Sequence, residues 1–233
     1  MEQFTQIQND IETNTNLDNF QKENEVNRYR KFKEVLYKEN KPYATTVTLR
    51  GHLYLICGFS GSGKNSLIQK VLNNHTEMHY LKSTTTRAMR TYETQNPPYD
   101  FVSKETFLNG MENGDYLEYE NIHGNYYGTS NQKILTALTE GKILITDCGV
   151  EGCLQIKNSF TCNVTLLFIT PSKTAIESEL YKRLISRGDT LNDIELRLAR
   201  LYYESLFLNT FDGLLLNDEG LDELYHEFKQ FML

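Results

Sequence analysis

The sequence predicts an α/β fold in which a parallel sheet is covered by helices on both faces. Short apolar runs, with the length and composition of strands buried on both faces, recur along the chain. Segments with the apolar spacing of helices lie between them. A glycine-rich loop follows the first of these runs, and the second run ends in an acidic residue. Both features lie at the carboxyl ends of strands, where parallel sheets bind their ligands. The apolar runs are residues 53–57, 143–147, 164–169 and 214–216.

The stretch from residue 53 to residue 72 contains the motif on which the functional prediction rests. A buried strand is followed by Gly58-Phe-Ser-Gly-Ser-Gly-Lys64 and then by apolar residues at helical spacing. A glycine-rich turn at a helix N-terminus directs several backbone N–H groups into one concavity, which suits a polyphosphate. Lys64 adds a cation that reaches the β- and γ-phosphates of a nucleotide. The pattern predicts a sheet of the P-loop NTPase type with an ATP site formed by Gly58, Ser60, Gly61, Ser62, Gly63, Lys64, Asn65 and Ser66.

The residue after Lys64 departs from the usual motif, because that position normally carries a Ser or Thr whose hydroxyl binds Mg²⁺. Here it is Asn65. Its amide oxygen is a neutral ligand of a kind that Mg²⁺ accepts, although the group is bulkier and also carries an N–H₂ donor. Two interpretations remain: an adapted Mg²⁺ site with Asn65 as a ligand, or a site that is losing its chemistry. The intact glycines and Lys64 favour the adapted site.

Length and composition predict a soluble protein with one sizeable domain and an extension, or with two small domains. The chain has 233 residues and a net charge of −7, which argues against a general nucleic-acid-binding protein. We expect no membrane contact and a cytoplasmic location, because no apolar run approaches membrane-spanning length and the polar N-terminus carries no secretory signal. The cysteines lack the C-x-x-C spacing and are expected to be reduced core residues: Cys57, Cys148, Cys153 and Cys162.

Residues 1–50 are predicted to be an extension before the main domain at 51–233. Residues 1–21 are rich in Asn, Gln, Thr and acids, which favours a partly disordered segment or a weak helix. Residues 23–38 have the pattern of one amphipathic helix, whose apolar stripe consists of Val26, Tyr29, Phe32 and Leu36. This stripe either packs on the domain that follows or serves in self-association through residues 23–38.

The rest of the chain alternates between the patterns of strands, turns and helices. Short strands are predicted at residues 45–49, 78–81, 99–103 and 116–119, and an aromatic-rich turn at residues 124–128. Helices are predicted from residue 104 after the capping Ser103, at 131–139 before Gly141, at 173–186, at 192–208 and from 221.

Residues 83–129 contain side chains suited to the phosphate of a second ligand. Arg87 and Arg90 are three residues apart, so they can project from one side of a turn and together neutralise a dianionic phosphate. Tyrosine hydroxyls on rigid rings offer further donors to the same oxygens: Tyr99, Tyr126 and Tyr127. Each residue alone has an ordinary structural explanation, and the combination indicates a phosphorylated ligand.

Three polar residues in the same region have the short or anchored side chains that read the edge of a base: Ser83, Glu118 and Thr129. A carboxylate such as Glu118 accepts two N–H bonds at once. It therefore selects guanine, whose N1 and exocyclic amine are adjacent donors. A solvated strand residue is the ordinary alternative for Glu118 alone.

The order of these residues resembles the guanylate kinase family from residue 53 to the C-terminus. Six stretches carry the resemblance: Gly58-Phe-Ser-Gly-Ser-Gly-Lys64, Ser83-Thr-Thr-Thr-Arg-Ala-Met-Arg90, Tyr99-Asp-Phe-Val-Ser103, Leu117-Glu118, His123-Gly-Asn-Tyr-Tyr-Gly-Thr129 and Leu216-Asn-Asp218. The resemblance implies a small inserted mixed α/β nucleotide-binding subdomain at residues 83–130 and a helical lid at 172–200. It also implies transfer of the γ-phosphoryl group of ATP, bound with Mg²⁺, to GMP or dGMP.

The resemblance assigns roles to individual residues. Guanine would be held by Ser83, Glu118 and Thr129, and the GMP phosphate by Arg87, Arg90, Tyr99 and Tyr127. Asp147 would lie near the GMP pocket, and Asn217 near adenine. The transferring phosphoryl group would be contacted by Lys64 and the lid arginines Arg183, Arg187 and Arg197.

Two departures from the family pattern leave alternatives open. Asn65 replaces the Ser or Thr, and Asp147-Cys-Gly149 stands where the family has Asp-x-Asp, so the second carboxylate is missing. One alternative is a binding module that retains the shape without turnover. The other is a related ribose 1,5-bisphosphate phosphokinase, in which a non-hydroxyl residue also follows the loop lysine. The intact guanine-reading residues favour guanylate kinase activity.

Overall fold

The computed structural model describes residues 2–14, 19–38, 48–89, 93, 99–122, 124–160 and 163–232. Within these residues the helices are α1 (Glu2–Thr13), α2 (Asn19–Lys38), α3 (Lys64–Asn74), α4 (Lys104–Glu112), α5 (Asn131–Thr139), α6 (Val150–Ser159), α7 (Ile176–Ser186), α8 (Leu191–Leu198), α9 (Leu201–Ser205) and α10 (Leu221–Lys229). The strands are β1 (His52–Gly58), β2 (Met78–Tyr80), β3 (Thr84–Thr85), β4 (Asp100–Phe101), β5 (Tyr116–Ile122), β6 (Asn125–Ser130), β7 (Ile143–Asp147), β8 (Val164–Thr170) and β9 (Gly213–Leu216).

The chain divides into two compact units. The first unit consists of Met1–Lys41, Gly58–Lys64 and Leu167–Leu233, and the second of Pro42–Cys57 and Asn65–Leu166. The divisions fall inside β1 and inside β8, so each unit contains part of both strands.

The second unit contains parallel strands in the order β2-β7-β1. Ile143 of β7 aligns with His52 of β1 on one side and with Met78 of β2 on the other. The strands β1 and β7 are almost entirely buried, as their unbroken apolar runs require. Helices α3, α5 and α6 each bury an apolar face in this unit, so the parallel strands and helices form one core.

A smaller sheet in the second unit has the order β4-β3-β6-β5. β6 is antiparallel to both β3 and β5, and Glu118 aligns with Thr129 across the β5–β6 pair. The helix α4 covers one side of this sheet, where the ring of Phe107 stacks on Tyr116 and Tyr126 at centroid distances of 4.3 and 5.4 Å. This aromatic packing fixes the strand that carries Glu118.

The first unit contains the parallel pair β8-β9, in which Leu167 aligns with Gly213. The buried ring of Phe168 lies edge-on to Phe59 at 4.8 Å and to Phe211 at 5.2 Å. Helices α7 and α10 bury Leu180, Leu184, Leu224 and Phe228 in the same unit. The phosphate loop therefore contacts this apolar core through Phe59.

The helices α1 and α2 pack on each other and on the segment around α9, all within the first unit. Tyr29 and Phe32 are buried, and their rings lie 6.2 and 5.9 Å from that of Phe207. The hydroxyl of Tyr202 donates to the carbonyl oxygen of Asp10 at 2.8 Å. The predicted apolar stripe is therefore used inside the chain at these two positions.

The predicted fold class, an α/β fold with a parallel sheet of the P-loop NTPase type and helices around it, is confirmed. Residues 2–13 form a helix, one of the two alternatives predicted for residues 1–21, because Ile7 and Ile11, one turn apart, are buried by tertiary packing. Three local differences have physical reasons. Residues 125–130 form a strand instead of a turn, because aromatic and threonine side chains suit a half-buried sheet.

The other two differences concern helices. The sequence analysis did not predict α6, whose N-cap residue Gly149 makes no side-chain capping hydrogen bond, so the usual start signal of a helix is missing. The predicted helix at 192–208 is divided after Leu198, where Arg200 N–H bonds to Arg197 O in a tightened final turn. The predicted strand at 45–49 lies largely outside the described residues.

Candidate active site

The phosphate loop joins the end of β1 to the start of α3. Gly63 has φ of +107°, and a Cβ at this position would lie 2.4 Å from Nδ2 of Asn217, so both backbone conformation and space require glycine. The Lys64 ammonium donates to the carbonyl oxygens of Gly58 at 2.7 Å and Phe59 at 3.1 Å. Lys64 thus links the end of the loop to its start, and its charged group lies against the loop backbone.

Asn217, which follows β9, is bound to the phosphate loop. Its Nδ2 donates to Ser62 O at 2.7 Å, and its backbone N–H donates to Thr170 O at 2.9 Å. The guanidinium of Arg183 donates to Asn217 O. Asn217 therefore connects the loop to α7, and its contact with adenine stays a prediction.

The two other lid arginines are held near the loop by Asp189, which lies between α7 and α8. Arg187 donates through Nε to Asp189 Oδ2 at 2.8 Å, and Arg197 Nη2 lies 3.9 Å from Asp189 Oδ1. Arg197 also donates to Ser60 Oγ at 2.5 Å. The structure thus brings Arg183 and Arg197 to the loop and links Arg187 to Arg197 through a carboxylate that sequence analysis missed.

Glu118 on β5 is a buried carboxyl with few polar neighbours. The hydroxyl of Thr129 on β6 donates to its Oε1. Its Oε2 lies 2.7 Å from the position that a Cβ would occupy at Gly152 of α6, so any larger residue there would displace the carboxylate. Burial, partly offset by the Thr129 hydrogen bond, raises the pKa of Glu118 to about 7. The structure therefore brings together two of the three predicted base-reading residues.

Ser83, the third, lies half-buried immediately before β3, and its carbonyl oxygen accepts from the N–H of Asp100 at 2.9 Å. Its backbone therefore aligns β4 with β3.

Arg87 is already bound to a carboxylate that the sequence analysis did not identify. Its two terminal nitrogens donate to Glu93 at 3.1 and 2.8 Å, in the bidentate geometry that suits a guanidinium. The hydrogen bond to Glu93 raises the pKa of Arg87 above its ordinary value. The guanidinium carbon lies 5.5 Å from the ring of Tyr99 and 5.3 Å from that of Phe101. Glu93 thus fixes the direction of the predicted phosphate-binding arginine.

Two of the predicted tyrosines pack against each other, with the ring of Tyr99 edge-on to that of Tyr127 at 5.6 Å. Tyr80, which the sequence analysis did not name, donates to Asp147 Oδ1 at 3.2 Å. Burial, with added repulsion from Asp147, raises the pKa of Tyr99 to about 12 and that of Tyr80 further. The hydroxyl of Tyr99 therefore stays protonated at neutral pH and keeps its capacity to donate a hydrogen bond.

Three residues named in the sequence analysis lie outside the described residues: Arg90, His123 and Cys162. Asn65 and Ser66 are exposed in the first turn of α3. Cys57, Cys148 and Cys153 are free thiols, and the first and third are buried.

No group of three or more His, Cys, Asp or Glu side chains in the described ranges has the arrangement of a metal site. A Mg²⁺ carried by a nucleotide keeps several waters and needs only one or two protein oxygens besides the phosphates. The exposed amide of Asn65 and hydroxyl of Ser66 are neutral oxygen donors that fit this requirement. None of the helices in the same ranges is both long enough and apolar enough to cross a membrane.

A glycine-rich loop between a buried strand and a helix, with Lys64 at its end, defines a protein of the P-loop class. The sequence profile described as "Guanylate kinase" matches residues 50–233. The chain belongs to the guanylate kinase family, and the predicted resemblance is confirmed.

Individual relatives agree with this assignment. The guanylate kinase of Wolinella succinogenes is 38% identical over 169 residues, which cover 72% of this chain and 77% of that protein. The guanylate kinase of Helicobacter hepaticus is 39% identical over 171 residues, covering 73% and 84% of the two chains. The guanylate kinase of Thermotoga maritima is 33% identical over 171 residues, covering 73% and 81%.

A solved structure, the guanylate kinase of Anaplasma phagocytophilum, superposes with a TM-score of 0.60. It covers 80% of this chain and 86% of its own length at 20% sequence identity. At this identity the similarity supports the fold.

Proposed function

We propose that this protein is an ATP-dependent nucleoside monophosphate kinase, which transfers the γ-phosphoryl group of ATP to GMP or dGMP and releases ADP and GDP. The observation that carries the proposal is the buried Glu118 carboxyl, held by Thr129 and walled by Gly152. Burying an ionisable group costs stability unless a partner compensates for it. A purine with two adjacent N–H donors would compensate that cost.

The reaction needs alignment and neutralisation of charge, because the acceptor phosphate itself provides the nucleophile. A phosphate oxygen of GMP attacks the γ-phosphorus, and the bond from the γ-phosphorus to the β,γ-bridging oxygen breaks. Arg87, oriented by Glu93, is suited to hold the acceptor phosphate with Tyr99 and Tyr127. Arg90 is proposed for the same role from its sequence position.

On the donor side, the loop N–H groups and Lys64 bind the phosphates of ATP, and the lid arginines neutralise the equatorial oxygens as charge moves. The phosphates would replace the two loop carbonyls that now accept from Lys64. A bound Mg²⁺ would be held by Asn65 and Ser66 and would supply positive charge to the phosphates of ATP. Asn217, next to Ser62, is proposed to lie near adenine.

The proposal extends to location and partners. The partners are the small molecules ATP and GMP, with no nucleic acid or membrane, in the cytoplasm. Self-association through residues 23–38 stays a prediction, and the burial of Tyr29 and Phe32 within the chain leaves less of the stripe for it.

The test is a coupled assay of ADP release with GMP, dGMP, AMP, CMP, UMP and ribose 1,5-bisphosphate as acceptors. We expect Mg²⁺-dependent turnover with GMP or dGMP only. Lys64→Ala should reduce kcat by at least about a hundredfold, since it removes charge from the transferring group. Lys229→Ala, on the exposed end of α10, is the matched lysine control and should retain activity.

Other outcomes select the alternatives. If wild-type protein binds GMP in calorimetry but forms no GDP at saturating ATP and Mg²⁺, the chain is a binding module. If it phosphorylates ribose 1,5-bisphosphate and ignores GMP, the guanine assignment is wrong.

A further inference from the structure

Two carboxylates on β5 point toward the N-terminus of α6. Glu118 and Glu120 are two residues apart on the strand, so their side chains lie on the same face. Oε2 of Glu118 lies 2.7 Å from the Cβ position of Gly152, and Oε2 of Glu120 lies 3.3 Å from that of Gly149. The two carboxylates therefore flank the first turn of one helix.

Gly149 stands where the family pattern has the second Asp. Its φ of −69° and ψ of 163° are available to any residue, so the backbone does not require glycine here. A side chain at this position would enter the space that the Glu120 carboxylate approaches. This chain thus has a glycine where the family has a carboxylate, and the carboxylate of Glu120 on the neighbouring strand β5 lies close to the same place.

Guanine presents three N–H bonds on one edge, one on N1 and two on the exocyclic amine. One oxygen of Glu118 already accepts from Thr129. A single carboxylate can pair with N1 and with one amino hydrogen, and the second amino hydrogen then needs another acceptor. Glu120 is a half-buried acid beside Glu118, and a charge there interacts directly with the Glu118 carboxyl.

We propose that Glu120 is a second base-reading residue, whose carboxylate accepts a hydrogen bond from the 2-amino group of guanine in the space left by Gly149. This inference rests on the proposed use of GMP as acceptor and deepens it. Specificity for guanine over hypoxanthine, which lacks the amino group, is then determined by Glu120.

The test measures the dissociation constants of GMP and IMP by calorimetry for wild type, Glu120→Gln, Glu120→Ala and a control. Loss of a charge-assisted hydrogen bond should weaken GMP binding by about tenfold or more and leave IMP binding within about twofold. The matched control is Glu140→Gln on an exposed acid after α5, which should preserve both constants. Glu120→Gln nearly preserves side-chain size, and circular dichroism checks that each variant is folded.

A second arm moves the carboxylate back to the helix. Gly149→Asp in the Glu120→Ala background should restore at least part of the preference for GMP over IMP. Gly149→Asp alone should not improve GMP binding, because two like charges would then be in near contact.

The outcomes separate the two claims. Wild-type protein that does not bind GMP overturns the proposed function, and this inference with it. Wild-type protein that prefers GMP, with the same GMP-to-IMP ratio in folded Glu120→Ala and Glu120→Gln, overturns the role of Glu120 alone.

Discussion

The carboxyl of Glu118 links ligand recognition to pH. It must be ionised to accept two N–H bonds from guanine, and its pKa is raised to about 7 by burial. Binding of the base should therefore weaken as the pH falls below 7, approaching tenfold per pH unit. The measurement is a titration with guanosine, which carries no titrating phosphate, between pH 5.5 and 8.5. An affinity that is flat over this range would contradict the assignment of Glu118.

The same residue should lower the stability of the unliganded protein above neutral pH. The pKa of Glu118 in the folded protein lies above its ordinary value of 4.5, so between these two pH values the folded state binds the proton more strongly than the unfolded state. Stability therefore falls as the pH rises from about 4.5 to about 7. Glu118→Gln should raise the free energy of unfolding by about 1–3 kcal/mol at pH 8 and by much less at pH 4.5. Denaturant titrations at the two pH values measure the difference.

The segment between α7 and α8 contains one acidic residue, Asp189. Asp189 is mostly buried and contacts both Arg187 and Arg197, and Arg197 reaches Ser60 of the phosphate loop. Asp189→Ala should lower kcat about tenfold or more, because the arginines lose their fixed direction toward the transferring group. The KM for GMP should change little. Steady-state kinetics measure both constants.

The control for this lid variant is Glu179→Ala, which breaks an exposed pair with Lys182 on the same helix. An exposed pair contributes little, so kcat should be unchanged. Equal losses in the two variants would mean that any change in the lid impairs turnover and that Asp189 has no special role.

At the level of elements, local signals succeeded where they were complete. The helix at 131–139 and the strand at 143–147 were predicted at their observed bounds, since a cap residue, a terminal Gly141 and an unbroken apolar run define them. The helix α6 was missed because glycine takes the cap position, so no capping side chain marks its start.

The sequence identified candidate site residues one by one, but it did not identify the ion pairs that orient them. The family resemblance named Arg87, Arg187 and Arg197. Their carboxylate partners Glu93 and Asp189 belong to none of its motifs, because the fold brings each of them to its arginine. Acids close in sequence to predicted arginines were the available indication, as for Glu93 six residues after Arg87.

The N-terminal helices contribute to the stability of the whole chain. Phe32 is buried beside Phe207, far from every predicted ligand residue in sequence. Phe32→Ala should lower the free energy of unfolding by about 3 kcal/mol, which corresponds to a fall in Tm of about 6–12 °C. GMP affinity should be unchanged below the transition. Calorimetry and ligand titration measure the two quantities.

The control for the extension is Arg30→Ala, because the Arg30 side chain is exposed and bonds only to Asn27 on its own helix among the hydrogen bonds described for it. Its Tm should stay within about 2 °C of wild type. A fall in Tm in this variant equal to that of Phe32→Ala would mean that the buried ring has no special role.

The bond from Tyr202 to Asp10 joins residues 192 positions apart. During synthesis at about 5–20 residues per second, α1 and α2 leave the ribosome about 10–40 seconds before the segment on which they pack. During that interval the side chains that later pack on this segment, such as Tyr29 and Phe32, lack that cover, so we expect the nascent chain to expose an apolar surface that a chaperone can bind. Codon changes that slow translation after residue 50 should therefore reduce soluble yield without altering the purified protein.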